Sequence, residues 1–102
     1  MVKRARFEIP KKKIDEFCKN NRIRKLSFFG SFLRKDFGPD SDLDILVEFE
    51  PGQKVGFLKL AGMEREVSEI LNHKVDLRTP AELSRYFRQE VLDSAEVQYA
   101  KG

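Results

Sequence analysis

Apolar residues recur along this chain with two different spacings. Ile14, Phe17 and Cys18 stand at i, i+3 and i+4, the stripe of one helical face. Pro10, suited to a first helical turn, opens that helix, predicted over 10–21. Leu26-Ser27-Phe28-Phe29 is a short apolar and aromatic run bounded by glycine, and predicts a strand over about 25–29. Gly30-Ser31 ends it, and Ser31 is placed to cap a short helix running into Phe32-Leu33-Arg34-Lys35. Gly38-Pro39-Asp40-Ser41 turns the chain into a second, strongly apolar strand over about 43–49. Pro51-Gly52-Gln53 is a turn. A longer helix follows over about 55–71, with Leu58, Ala61, Val67, Ile70 and Leu71 as its inward face. A third strand covers about 74–78. A last helical region is expected over 81–99, broken near 86–88. Helices alternating with strands predict an α/β (α+β) sandwich.

Composition changes this picture little. A chain of 102 residues with 40% apolar and 36% charged residues is expected to form one domain, 1–102, with a modest core and a wet surface. The high charge, with no Trp, hints at a thermophilic source. No run of about 18 apolar residues could span a membrane. The start, Met1-Val2-Lys3-Arg4-Ala5-Arg6, has no apolar stretch after its charges and is not read as a secretory signal. A single cysteine, Cys18, cannot form an internal disulfide, so a reducing cytoplasm is the expected compartment. On a buried stripe it reads as a small core residue, not a reactive thiol. The net charge of +3 conceals an asymmetry: residues 1–25 hold ten Lys/Arg against three acids, a net +7, leaving −4 for the rest. Direct nucleic-acid binding is open but not favoured, because no aromatic residues interleave these cations as they do on single-strand platforms. A solvated helix face explains the cluster more simply.

The chemistry is concentrated in one short stretch. After Gly30-Ser31 come nine residues, then Ser41-Asp42-Leu43-Asp44 and the run Ile45-Leu46-Val47. Side chains alternate along a strand, so Asp42 and Asp44 face the same way. Two adjacent like charges repel. A divalent cation shared with a polyphosphate accounts for keeping them, since Mg²⁺ is commonly held by one or two carboxylates plus substrate phosphates. The plainer reading, charge at a turn and strand end, leaves the glycine turn upstream unexplained. Glycine before a helix start lets backbone approach a phosphate closely, and helix N-termini favour anions. Arg34 and Lys35 add positive charge.

Two better-known motifs are excluded. Asp40, Asp42 and Asp44 imitate the start of an EF-hand loop, but its sixth and twelfth positions would be Ile45 and Pro51 in place of glycine and glutamate. No Gly-Lys-Ser/Thr follows Gly30, so this is no P-loop. Elsewhere the bland readings prevail. His73 reads as an exposed turn residue, Glu48 and Glu50 as the wet side of the second strand, and Phe32 and Phe37 as packing residues, not base-stacking platforms.

The pattern Gly-Ser, ten residues, Asp-x-Asp and an apolar strand resembles the nucleotidyltransferases of the DNA polymerase β superfamily. It is most similar to the minimal nucleotidyltransferase (MNT) family. The match runs from about Ile23 to near the C-terminus, with Lys35 where glycine is usual. Lys74-Val75-Asp76-Leu77-Arg78 resembles the family's third strand, which carries the third carboxylate. The resemblance implies a small mixed sheet with helices on one side. It implies two Mg²⁺ ions held by Asp42, Asp44 and Asp76, with Asp76 also base toward an attacking hydroxyl. It implies ATP as substrate, its phosphates gripped around Gly30, Ser31, Arg34 and Ser41, and AMP as the group transferred. MNT proteins are commonly paired with HEPN-domain toxins. The implied function is therefore an antitoxin that AMPylates a tyrosine of a HEPN partner. The alternatives are an antitoxin acting by contact alone, or nucleotidyl transfer to RNA or a small molecule such as an aminoglycoside.

Overall fold

The computed structural model describes residues 3–4 and 7–101, with side chains from Ile9 to Lys101. The expectations for the first residues' side chains, including Lys3, Arg4 and Arg6 of the basic cluster, lie outside the described residues. Two short strands, β1 (Lys3–Arg4) and β2 (Phe7–Glu8), pair antiparallel. Helix α1 (Lys11–Asn20) follows, then β3 (Ile23–Phe29), a 3₁₀ turn (Gly30–Leu33) and β4 (Leu43–Phe49). Helix α2 (Phe57–Leu71) leads into β5 (Val75–Arg78) and a second 3₁₀ turn (Pro80–Glu82). Helix α3 (Arg88–Ser94) and β6 (Glu96–Ala100) end the chain.

The main sheet has the order β5-β4-β3-β6. β3 is antiparallel to both neighbours, and β4 and β5 run parallel, so the sheet is mixed as expected. Alternation along the strands divides its two faces. Ile23, Leu26, Phe28, Leu43, Ile45, Val47, Val75, Leu77 and Tyr99 turn into one core with Ile14, Phe17 and Cys18 of α1 and Met63, Val67 and Leu71 of α2. Asp44 and Asp76, between core residues on β4 and β5, must then face the other way. Leu46 and Ser27, also facing away from that core, are nonetheless buried. The connection from β5 to β6 passes from one sheet edge to the other, and its 3₁₀ turn contacts β4.

Local chemistry explains the joints. α1 ends where Asn21 donates from Nδ2 to the Phe17 carbonyl, 2.8 Å, and Arg22 takes φ +55° to turn into β3. α2 ends on Asn72 in the left-handed region, with the His73 N–H reaching back to the Ser68 carbonyl at 3.1 Å. β5 is an edge strand. The Leu77 N–H is taken by Glu64 Oε2 of α2 at 2.8 Å, which blunts that edge. Glu64→Ala is therefore expected to strand this N–H, costing about 1–2 kcal/mol. That should lower Tm on the order of 5–10 °C, while Glu64→Gln, which keeps an acceptor, costs less. Thermal melts of the two variants check it.

Three expectations are corrected. The segment over 81–99 is not one helical region: only Arg88–Ser94 is α-helix, and Glu96–Ala100 is a strand. Val91, Leu92 and Ala95 continue a helical spacing, but the free edge of β3 needs a partner, and β6 supplies it through the pairs Phe28↔Glu96 and Leu26↔Tyr99. Leu58 is 86% exposed, not inward. The α2 stripe runs through Leu60, Met63, Val67 and Leu71, about half a turn from Leu58. Third, His73 is not an exposed turn residue but half-buried.

The α1 stripe of Ile14, Phe17 and Cys18 is buried as expected. Burial, with Asp15 nearby, pushes the Cys18 thiol up to about 12. Cys18 should therefore resist thiol reagents in the native protein and react on unfolding. The neutral thiol is favoured only in the fold, so its contribution to stability is present below the ordinary thiol range and is lost as pH rises toward 12. Among the described residues, no helix is long and apolar enough to cross a membrane.

Candidate active site

The candidate residues converge where β3 ends, β4 begins and β5 runs beside it. Asp44 and Asp76 are register partners on the parallel pair β4 and β5, so their side chains are neighbours on one side of the sheet. Asp42 immediately precedes β4, anchored by the Leu43 N–H donating to the Lys74 carbonyl at 2.8 Å. Phe29↔Asp44 is the last pair of β3 and β4, which brings Gly30-Ser31 against Asp44.

Gly30 has φ +62°, and a Cβ there would overlap Asp44 Oδ2. Both facts require glycine. Ser31 donates from its N–H to Asp44 Oδ2 at 3.2 Å, and its Oγ lies 3.3 Å from the same oxygen. Its Oγ also bonds the Asp42 carbonyl at 2.6 Å. Ser31 therefore lies within a 3₁₀ turn and does not cap a helix. The backbone N–H expected to await a phosphate here holds an internal carboxylate.

The other carboxylates are also partnered. Arg78 pairs with Asp76: Nη2 donates to Oδ2 at 3.2 Å, and Nε lies 3.1 Å from Oδ1 as an ion pair. The carboxylate in turn raises the Arg78 guanidinium above its already high ordinary value. Lys74 Nζ lies 3.9 Å from Asp42 Oδ1, an exposed pair of little energetic weight. The like-charge repulsion expected of three neighbouring carboxylates is thus offset by cations and amide hydrogens. Among the described residues, no three acidic, His or Cys side chains are gathered tightly enough to enclose a metal ion as they stand. The chemistry of the donor set, all hard carboxylate oxygen, does fit Mg²⁺.

Arg34 and Ser41 stand further out. Arg34 pairs with Asp36 on the surface, Nε to Oδ1 at 3.2 Å. Ser41 Oγ accepts from the Gly38 N–H at 3.2 Å and shapes the loop before Asp42. Phe32 and Phe37 are packing residues: Phe32 is fully buried, edge-on to Phe28 at 4.9 Å and to Phe37 at 5.3 Å.

Sequence reasoning missed two residues of this site. Arg78 lies two positions from Asp76 on a strand, so period-two alternation could have placed it on the same face. His73 gave no such signal. Its Nε2 meets the Ser41 carbonyl, and its ring stacks on Phe37 at 5.4 Å.

Comparison with known proteins shows the family. Residues 10–97 match the family described as nucleotidyltransferase domain. MJ0435 of Methanocaldococcus jannaschii, provisionally named a protein adenylyltransferase, is 32% identical over 85 residues, covering 83% of this chain and 89% of its own. Protein adenylyltransferase MntA of Thermococcus cleftensis is 34% identical over 70 residues, 69% of each chain. A solved complex of a tri-AMPylated Shewanella oneidensis HEPN toxin with its MNT antitoxin shares the fold, with TM-score 0.64 at 19% identity, over 89% of this chain and 70% of that one. The paired strands, the Gly30-Ser31 turn against Asp44 and a family match spanning most of the sequence lead to one conclusion: this chain belongs to the nucleotidyltransferase domain family.

Proposed function

We propose that the chain transfers AMP from ATP to a hydroxyl of a HEPN-domain toxin, a tyrosine, and thereby acts as its antitoxin in the cytoplasm. What supports this reading most is the register pair Asp44↔Asp76, facing one way beside a glycine-serine turn. The relatives named as protein adenylyltransferases and the AMPylated toxin complex lend it the substrate class.

Asp42 and Asp44 would hold two Mg²⁺ ions with the triphosphate, and Asp76 one of them. Such ions neutralise charge and clamp the attacking and leaving oxygens of an in-line displacement. Gly30, Ser31, Arg34 and Ser41 would face the β- and γ-phosphates. Arg34, paired with surface Asp36, can exchange that partner for phosphate at little cost. The acceptor oxygen bonds the α-phosphorus, the bond to the β-phosphate oxygen breaks, and pyrophosphate leaves. The acceptor's proton passes to an Asp76 carboxylate oxygen, at a lone pair that Arg78 does not use.

Calorimetry tests the nucleotide half of this reading. ATP should bind with Mg²⁺ present and lose its affinity in EDTA. Equal affinity in both conditions would contradict the carboxylate roles.

A further inference from the structure

We propose that His73 is a positioning residue of this site, fixing the backbone from which Asp42 must present its carboxylate. The inference rests on reading Asp42, Asp44 and Asp76 as the Mg²⁺–ATP site. The Asp42 side chain is half-exposed, and the cation it faces, Lys74 Nζ, stands 3.9 Å away. So loose a contact leaves the placement of the carboxylate to the main chain. The two peptide groups flanking Asp42 are each held by a side chain from a different element. The carbonyl of Asp42 accepts from Ser31 Oγ at 2.6 Å. The carbonyl of Ser41, the peptide that enters Asp42, is met by His73 Nε2 from just before β5. A carbonyl only accepts, so His73 must carry its proton on Nε2.

The imidazole is itself fixed. It stacks on Phe37 with an interplanar angle of 27°, Phe37 packs edge-on against Phe32, and Phe32 against Phe28. Phe28 pairs with Ile45 on β4. A continuous path of packed rings thus runs from the core to the peptide before Asp42, and returns to the strand that carries Asp44. The loop between the two strands is exposed at Asp36, Pro39 and Asp40. His73 pins it at its functional end. Groups that orient a ligand from behind typically influence metal affinity 10–100-fold.

Two substitutions separate the hydrogen bond from the stack. His73→Phe keeps an aromatic ring on Phe37 but cannot donate. His73→Gln keeps an amide donor and loses the stack. In the full chain, calorimetry with Mg²⁺ and ATP should show affinity weakened about 10–100-fold in His73→Phe and largely restored in His73→Gln, with melts in EDTA confirming that both fold. Wild-type affinity in His73→Phe, or no recovery in His73→Gln, overturns the inference while leaving the site reading intact. Absence of metal-dependent binding in the wild type removes both. Imidazole ¹⁵N NMR of the wild type needs no variant: an Nε2–H tautomer is expected, and an Nδ1–H tautomer overturns the inference.

Discussion

Asp44→Asn should abolish nucleotidyl transfer and leave the metal-free protein folded. Asp44 Oδ2 accepts the Ser31 N–H, while the Ser31 hydroxyl, 3.3 Å away, gives its proton to the Asp42 carbonyl. An asparagine Oδ1 can accept the same N–H, so the melting curve in EDTA should move by no more than about 1 kcal/mol. What the substitution removes is the negative charge between the β4–β5 pair and a cation. Loss of metal-based charge stabilisation is worth several kcal/mol in the transition state, which is on the order of 10³-fold or more in rate. Transfer of label from α-labelled ATP, followed beside a thermal melt, reads both quantities. A drop in Tm on the order of 10 °C or more would mean that Asp44 is a structural residue instead.

Gly30→Ala should damage both stability and activity, for two separable reasons. The left-handed conformation costs a non-glycine residue about 1–2 kcal/mol, and the new Cβ meets Asp44 Oδ2. The carboxylate has to move, and misplacement of a catalytic group by an ångström can cost on the order of 100-fold in rate. A double-mutant cycle separates the terms. With Asp44→Ala already present the overlap is gone, so Gly30→Ala should then cost only its backbone strain. Equal costs in both backgrounds would mean that Gly30 and Asp44 are not coupled.

The elements legible in the sequence were those whose pattern is local. β4 has the bounds expected of it, because Leu43, Ile45 and Val47 alternate into the core beside turn residues. The α1 stripe was equally plain. β6 was not, because nothing within 91–100 says that a helix should stop at Ser94; the demand comes from the unpaired edge of β3, far back in the chain. The phase of α2 was misjudged at Leu58, which lies about half a turn from the stripe of Leu60, Met63, Val67 and Leu71. In the site, Asp42, Asp44 and Asp76 were read from spacing and resemblance, and alternation does put Asp44 and Asp76 together. Their partners were harder to see. Which cation meets which carboxylate depends on side-chain reach across strands, and the contact of His73 with Ser41 joins residues 32 positions apart.

The reading of this chain as an adenylyltransferase acting on a HEPN partner is tested most directly by where the label goes. The chain is incubated with Mg²⁺, a HEPN-domain protein encoded beside it, and ATP labelled at either the α- or the γ-phosphate. The partner should take label from α-labelled ATP alone, and its RNase activity should fall as label accumulates. The Asp42→Ala/Asp44→Ala double variant should do neither. Label taken from the γ-phosphate, or full neutralisation of the partner by the double variant at native expression levels, would contradict the account.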